Sequence, residues 1–259
     1  MGNVLVTLLC SLTPSYFRSQ LTRRFKMENH PLVSVIIPLY NYENYIKIAL
    51  NSVFEQSYRP IEVIVVDDGS TDNSAAIVRT YQDVRYYYQT NQSAAVARNN
   101  GIAVANGEFI AYLDADDLWH PEKLSIQVSY MVAHLEVDIT TTSVLSFLEP
   151  ETQIPAWFNP DRELGETNGI VLSAMVVRKN VFDQVGGFST AYVASEDTEW
   201  LCRAKDAGIS IVTIPKPLTL KRLHGSNLTW PMISTAAARS LRIFRESIAR
   251  KSHNRYFIQ

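Results

Sequence analysis

From Pro31 onward the chain repeats one pattern, a short apolar and β-branched run followed by a longer stretch with apolar residues at helical spacing. The run "VSVII" (33–37) precedes "ENYIKIALNSVFEQ", in which Tyr45, Ile46, Ala49, Leu50, Val53 and Phe54 share one helical face. The next run, "IEVIVV" (61–66), precedes "STDNSAAIVRTYQ", which opens with Ser70, Thr71 and Asp72 as candidate helix caps. "VRYYYQ", "SAAVARNNGIAVAN" and "EFIAYL" continue as strand, helix and strand. Four apolar strands separated by helices predict an α/β fold, a mostly parallel sheet flanked by helices on both faces.

The second half is less regular. "PEKLSIQVSYMVAHL" reads as a helix, "VDITTTSVLSF" as a strand, "IVLSAMVV" as another, "SEDTEWLCRAKDAG" as a helix ending at Gly208, and "ISIVTI" as the last strand. Between Glu149 and Asn168, Pro150, Pro155 and Pro160 and an isolated Trp157-Phe158 pair mark a loop, long enough for either a functional lid or a variable surface connection. Gly186-Gly187-Phe188 reads as a tight turn presenting Phe188 to the core. The expected organisation is an N-terminal extension over residues 1–30, one domain over 31–230 and a basic helix over 231–259.

The extension's apolar run "VLVTLLCSL" is too short to span a bilayer, and Met27 is an alternative start. In the final segment "STAAARSLRIFRESIARKSHNRYF", Ala237, Leu241, Phe244 and Ile248 share a face. Such a helix either lies on an anionic membrane or packs on the domain with its arginines solvated.

A chain of 259 residues that is 46% hydrophobic can bury a substantial core. Its formal net charge of -2 supplies no global basic field for a nucleic acid polymer, and a small anionic ligand remains compatible. Cys10 and Cys202 make neither a disulfide framework nor a metal-ligand spacing, which fits a reducing cytosol.

In open sheets of this class, ligands collect beyond the carboxyl ends of the strands. Here those ends carry Pro38, Tyr40 and Asn41, then Asp67, Asp68 and Gly69, then Asp114, Asp116 and Asp117. Singly, each has an ordinary reading: Asp68-Gly69-Ser70 is a common turn, and Tyr40 is a packing residue. Three carboxylates within four positions are harder to accommodate. Two of them about 4 Å apart repel by roughly 4 kcal/mol at an effective dielectric of about 20, so the cluster needs a cation or a raised pKa. Asp117 reads as a cap for a helix in "LWHPEKL" or, less simply, as a group behind the cation.

The order and spacing of "VSVIIPLYNYENYI", "IEVIVVDDGSTDNS", "NQSAAVARNNGIAVANGEFIAYLDADDLWHP", "VGGF", "SEDTEW" and "RLHGSNLT" resemble the family 2 glycosyltransferases, across residues 31 to 229. The resemblance implies the GT-A fold, the Rossmann-like fold of nucleotide-diphospho-sugar transferases, and sugar transfer with inversion. It implies that Pro38 and the ring of Tyr40 hold the donor base, that Asp68 accepts from the base N–H, and that Arg98 lies near that end. Asp116 would bind a divalent cation, Mn²⁺ or Mg²⁺, that bridges the donor diphosphate, with Asp114 towards the ribose or the metal. Asp197 would be the general base, and His224 would approach the metal or diphosphate.

The implied partners are a nucleotide-sugar donor, with UDP as the nucleotide, and a carbohydrate or lipid-linked acceptor. The cysteine usage points to the cytoplasm, and the basic last helix allows peripheral contact at the inner face of the membrane as the alternative to packing on the domain. Relatives often carry glycine where this chain has Ser93, and the late Gln-x-x-Arg-Trp motif of the processive polymer synthases is missing.

The chemistry suits these residue types. Departure of a nucleoside diphosphate develops negative charge that a dication on hard oxygen ligands neutralises, and an acceptor hydroxyl needs a carboxylate to take its proton. The ordinary readings stand beside these roles. Acids such as Glu196 and Asp197 at a helix start complement its dipole, a lone histidine is usually a surface or packing residue, and Trp200 is either core or an acceptor platform.

Two other classes fit parts of the pattern. "FIAYLDADDL" resembles the Asp-x-Asp opening of haloacid-dehalogenase-like phosphohydrolases, with Asp114 as nucleophile, although there the motif usually ends the first strand. A non-catalytic nucleotide-sugar-binding protein would have little use for both Asp116 and Asp197. No Gly-x-Gly-x-x-Gly follows the first strand, which disfavours a dinucleotide dehydrogenase.

Overall fold

Strands β1 (Val33–Leu39), β2 (Ile61–Asp67), β3 (Val84–Tyr88) and β4 (Phe109–Tyr112) pair in parallel in the order β3-β2-β1-β4. The structure, a computed structural model, describes residues 30–168, 171–225, 227 and 233–256. The expected extension up to residue 29, with Cys10 and the alternative start at Met27, lies outside the described residues.

The apolar runs are buried on both faces because alternate residues enter different cores. Val33, Val35, Ile37 and Leu39 pack with Val63, Val65, Phe109 and Ala111 beneath α1 (Ile46–Phe54) and, further along, α4 (Lys123–Ala133). Ile36, Ile64, Val66, Ile110 and Tyr112 face the opposite core, with α3 (Ala94–Val104), α6 (Val181–Val185) and α7 (Glu196–Asp206). Helix α3 lies so close to β1 that a Cβ at Gly101 would come within 2.5 Å of Ile36 Cγ2. The short α2 (Ser74–Val78) completes the first half; Asp72 Oδ1 accepts from Ser74 N at 2.9 Å, although the capping position itself falls on Asn73.

Beyond β4 the sheet continues through β8 (Val176–Arg178), β6 (Ile139–Leu148), β9 (Ile211–Leu223) and β5 (Leu118–Trp119), while β7 (Gly165–Thr167) pairs with β6 off the main path. The contacts β4–β8, β8–β6, β6–β7 and β9–β5 are antiparallel and only two or three residue pairs long, whereas β6–β9 is parallel over ten, so most of the pairing in the sheet is parallel.

Three expectations change here. "IVLSAMVV" becomes a strand only at Val176, because Leu172–Ala174 forms a 3₁₀ turn whose Ser173 carbonyl accepts from Trp119 Nε1 at 2.7 Å. "LWHPEKL" is not one capped helix. Leu118 and Trp119 pair with Leu220 and Thr219, α4 starts at Lys123, and Asp117 Oδ1 instead accepts from Arg222 N at 3.1 Å. The last strand runs well past Ile214, carrying Pro215 and Pro217 through a register shift opposite Ser143, where a missing N–H costs no ladder bond.

The 149–168 segment also holds a short helix α5 (Pro160–Glu163) and β7. A final helix, α8 (Ile233–Tyr256), packs on α7. No helix among the described residues is long and apolar enough to cross a membrane.

Candidate active site

The strand register sets Leu39 beside Asp67 and Ile36 beside Tyr112, so β1, β2 and β4 deliver their carboxyl ends to one edge of the sheet. Pro38 is the penultimate residue of β1, opposite Val66, and Tyr40 just beyond is 46% exposed. Asn41 takes φ 55° and stitches the two loops, donating from its N to Ser70 Oγ and accepting from Thr71 N at 2.8 Å.

Asp67 and Asp68 have separate fates. Asp67 is buried, accepting from Tyr86 OH at 2.6 Å and Ser70 N at 2.8 Å, and so holds the turn. Asp68 Oδ1 accepts from Gln89 Nε2 at 2.7 Å and Gln92 N at 2.8 Å. Gly69, at φ +84°, is needed here, since a Cβ would meet Asn91 N at 2.9 Å. Ser93 caps α3 through its hydroxyl at φ 156°, a backbone region that favours glycine.

The three clustered carboxylates relieve their repulsion in three ways. Asp114, whose side chain is 39% exposed, is bound by Arg98 at 2.9 Å. Arg98 is buried and also reaches Glu196 at 2.7 Å; burial opposes its charge, but the two carboxylates hold its pKa above the usual value. Asp116 Oδ2 lies 3.0 Å from His224 Nε2 and 3.1 Å from Asn227 Nδ2. The Tyr42 hydroxyl, pushed up first by burial and then by Asp116, stays protonated and donates to Asp116. Asp117 is almost fully buried, and burial, then Asp116 and Asp114, raise its pKa well above the carboxylate range. A cation, an imidazole with two donors, and a raised pKa thus divide the load.

The surroundings of His224 were not legible in the sequence. His224 N donates to Asn227 Oδ1 at 2.6 Å, closing the turn after β9. Tyr45, expected on the apolar face of α1, instead sits at its N-cap with its ring centroid 4.6 Å from that of His224. Arg222 lies over the rings of Tyr45 and Phe147 at 5.2 and 5.1 Å, donates to the Asp116 carbonyl, and pairs with Glu149 at 3.3 Å. Glu149 also accepts from Tyr45 OH at 2.6 Å, so the proline-rich segment starts from an anchored carboxylate. Tyr42 and Asn227 had signals, each lying within a quoted motif, but nothing in the sequence pairs them with Asp116.

Asp197 lies in the first turn of α7 behind Ala194, which takes φ 56°. Its carboxylate accepts from Thr198 N at 2.6 Å and Thr198 Oγ1 at 3.2 Å. Through Glu196 and Arg98 this turn is tied to Asp114. Trp200 is core, fully buried with ring centroids 5.1 and 5.4 Å from Phe182 and Phe188, and Nε1 donates to the Gly186 carbonyl. Phe188 is buried as expected, behind a turn in which Gly186 takes φ 79°.

Among the described residues no three His, Cys, Asp or Glu side chains converge as a metal cage. Asp116 and His224 do converge, offering one carboxylate oxygen and one imidazole nitrogen. That pair fits a divalent cation whose remaining positions come from substrate phosphates and water, the usual arrangement for Mg²⁺ at phosphate sites.

Residues 34–189 match the family model described as glycosyl transferase family 2. The chain is 32% identical over 210 residues to the UDP-Glc:alpha-D-GlcNAc-diphosphoundecaprenol beta-1,3-glucosyltransferase WfgD of Escherichia coli, covering 76% of this chain and 79% of that one. It is 46% identical over 97 residues to an uncharacterized glycosyltransferase of Nostoc sp., covering 36% of this chain; the match spans only 30% of the relative's length. The fold is shared with the mannosyltransferase PcManGT from Pyrobaculum calidifontis in complex with GDP-Man and Mn²⁺, at TM-score 0.67 and 20% identity, covering 90% of this chain and 71% of that one.

Proposed function

Because the chain belongs to glycosyl transferase family 2, we propose that it transfers a sugar from a nucleotide sugar to an acceptor hydroxyl, with inversion and with a divalent cation, Mn²⁺ or Mg²⁺. The observation that carries this reading is the convergence of His224, Asn227 and Tyr42 on Asp116, on the sheet edge that also carries Asp68 and Tyr40. Asp116 and His224 would hold the cation, which when bound neutralises the charge developing on the departing nucleoside diphosphate.

Each remaining role falls to a side chain already positioned. The exposed Tyr40 ring and the Pro38 backbone would cover the donor base. Asp68 has Oδ1 fixed by Gln89 and Gln92, which leaves Oδ2 to accept from a base N–H. Asp114, steadied by Arg98, would meet the ribose or the cation's outer contacts. Arg98 acts on this reading by holding Asp114 and Glu196 together rather than by touching the base. Asp197 would take the acceptor proton as the hydroxyl attacks from the face opposite the leaving group, which inverts the anomeric carbon.

WfgD's name specifies UDP-Glc and a diphosphoundecaprenol-linked acceptor, and this supports a UDP-sugar and a lipid-linked carbohydrate acceptor for this chain. The process served would be envelope polysaccharide biosynthesis, at the cytoplasmic side of the membrane. The phosphohydrolase alternative fares poorly: Asp114 follows the fourth strand rather than the first, two residues past its end, and one of its oxygens is already bound by Arg98.

Thermal unfolding with UDP, with and without Mn²⁺, tests the proposal. A ligand at about 100 times its Kd adds about 2.7 kcal/mol, a shift of several degrees. We expect UDP to stabilise more with Mn²⁺ and Asp116→Ala to remove that increment; survival of the increment in the variant refutes the metal assignment.

A further inference from the structure

Helix α8 has two unlike faces. Towards α7 it is anchored between Arg239 and Arg250. Arg239 Nε donates to Ser195 Oγ at 3.0 Å, Glu246 accepts from Tyr192, Ser247 and Arg250 both bind Asp206, and Ile243 is fully buried. On the opposite face Leu241, Phe244 and Ile248 are 53%, 52% and 65% exposed. Their i, i+3, i+7 spacing makes one continuous outward stripe. Val193, beside the Tyr192 that packs against Arg242 and Glu246, adds a further apolar side chain, 54% exposed.

We propose that this face docks on an anionic lipid bilayer, with α8 lying in the interfacial plane. Three large apolar side chains aligned and exposed on one helix, already fixed to the domain by its other face, are a continuous apolar surface rather than scattered exposure. The rim of the stripe is basic: Arg245 is exposed and Arg242 has 63% of its side chain exposed. Of the six Lys or Arg at residues 234–257, Arg239 and Arg250 face α7 and Arg242 pairs with Glu246 at 3.0 Å, which leaves the net positive charge of the rim to Arg245 among the described residues. This charge complements acidic headgroups, whereas two copies meeting stripe to stripe would bring like-charged rims together.

Docking in this way has a consequence for the acceptor. Helix α7, whose first turn carries Asp197, packs directly on α8, so the bilayer would lie about one helix diameter, roughly 10 Å, beyond it. A sugar on a lipid carrier then approaches the site from the surface that holds the enzyme. This last step rests on the transferase reading; the docking itself does not.

The test is co-sedimentation of the full chain with phosphatidylglycerol–phosphatidylcholine vesicles and with phosphatidylcholine vesicles alone. We expect binding to the anionic vesicles, weakened by salt, and about tenfold lower affinity for the combined variant Leu241→Gln, Phe244→Gln, Ile248→Gln, whose stabilisation by UDP and Mn²⁺ is unchanged. Arg245→Glu should weaken binding to a smaller extent. Equal binding by parent and combined variant overturns the proposal, as does equal affinity for both vesicle types. A dimer in sedimentation velocity that the combined variant abolishes overturns it in favour of a self-interface. If vesicle binding behaves as expected while UDP fails to stabilise the protein, the docking stands and the transferase reading falls.

Discussion

Asp116 and Asp197 are the two aspartates on which the proposed chemistry turns, and the molecule holds them in opposite ways. Asp116, at the carboxyl edge of the parallel half, is 8% exposed and has two donors aimed at it, Tyr42 from the β1–α1 connection and Asn227 from the turn after β9, with the His224 ring nitrogen 3.0 Å away. Asp197, in the first turn of α7, is half-buried, and among the described residues its carboxylate accepts only from its neighbour Thr198. The first arrangement suits a group that must hold a fixed charge without reorganising. The second suits a base that an acceptor must reach.

If that division is correct, the two sites separate binding from turnover. Asp197→Asn should lower kcat by about 10³-fold while leaving the stabilisation by UDP and Mn²⁺ unchanged, because its carboxylate touches only the acceptor. Steady-state kinetics on a lipid-linked acceptor, read beside thermal unfolding, checks this. A loss of donor stabilisation in the same variant would break the comparison.

Arg98 is where the two regions meet, and it sharpens the contrast. It is buried, and bridges Asp114 on the donor side to Glu196 beside Asp197. Arg98→Met leaves two carboxylates facing a lost cation, one of them well buried, and should cost about 3 kcal/mol in urea unfolding. Arg98→Lys should recover only part of this, since one ammonium replaces a fork that reaches both acids. A cost near zero for Arg98→Met would mean that the two regions are held independently.

The same contrast explains which features the sequence made legible. The parallel half could be read because its signals are local: β1, β2 and β4 are apolar on both faces, and the polar residues that follow them fall on one edge. The contacts that build the site are not local. Asp116 and His224 are 108 positions apart, Arg98 and Glu196 are 98 apart, and no periodicity encodes such pairs.

The misreadings have related causes. Leu118–Trp119 is too short a strand to show any period, and "IVLSAMVV" is apolar throughout, so its 3₁₀ turn carries no mark. The prolines in β9 ended the expected strand early, although a register shift accommodates them. Asp67 and Asp68 look alike as a dipeptide and both are buried; what separates them is that Ser70 and Tyr86 take both oxygens of Asp67, while Gln89 and Gln92 share Oδ1 of Asp68.

The smallest expected effect concerns Asp117, the clustered acid to which the proposed function gives no role. Burial and the charges of Asp116 and Asp114 raise its pKa well above the usual carboxylate range. A raised folded pKa means that the native state binds its proton more tightly than the unfolded chain. The stability so contributed is complete below the ordinary carboxylate value of about 4 and is lost as pH rises through the raised value. Asp117→Asn keeps an oxygen to accept from Arg222 N and carries no charge to crowd its neighbours. In urea unfolding without metal, the variant should match the parent near the ordinary carboxylate value and exceed it by about 1 kcal/mol at neutral pH. An advantage that does not change with pH would mean that Asp117 is ionised in the native protein, and the crowding of the three acids would then have to be relieved by a bound cation.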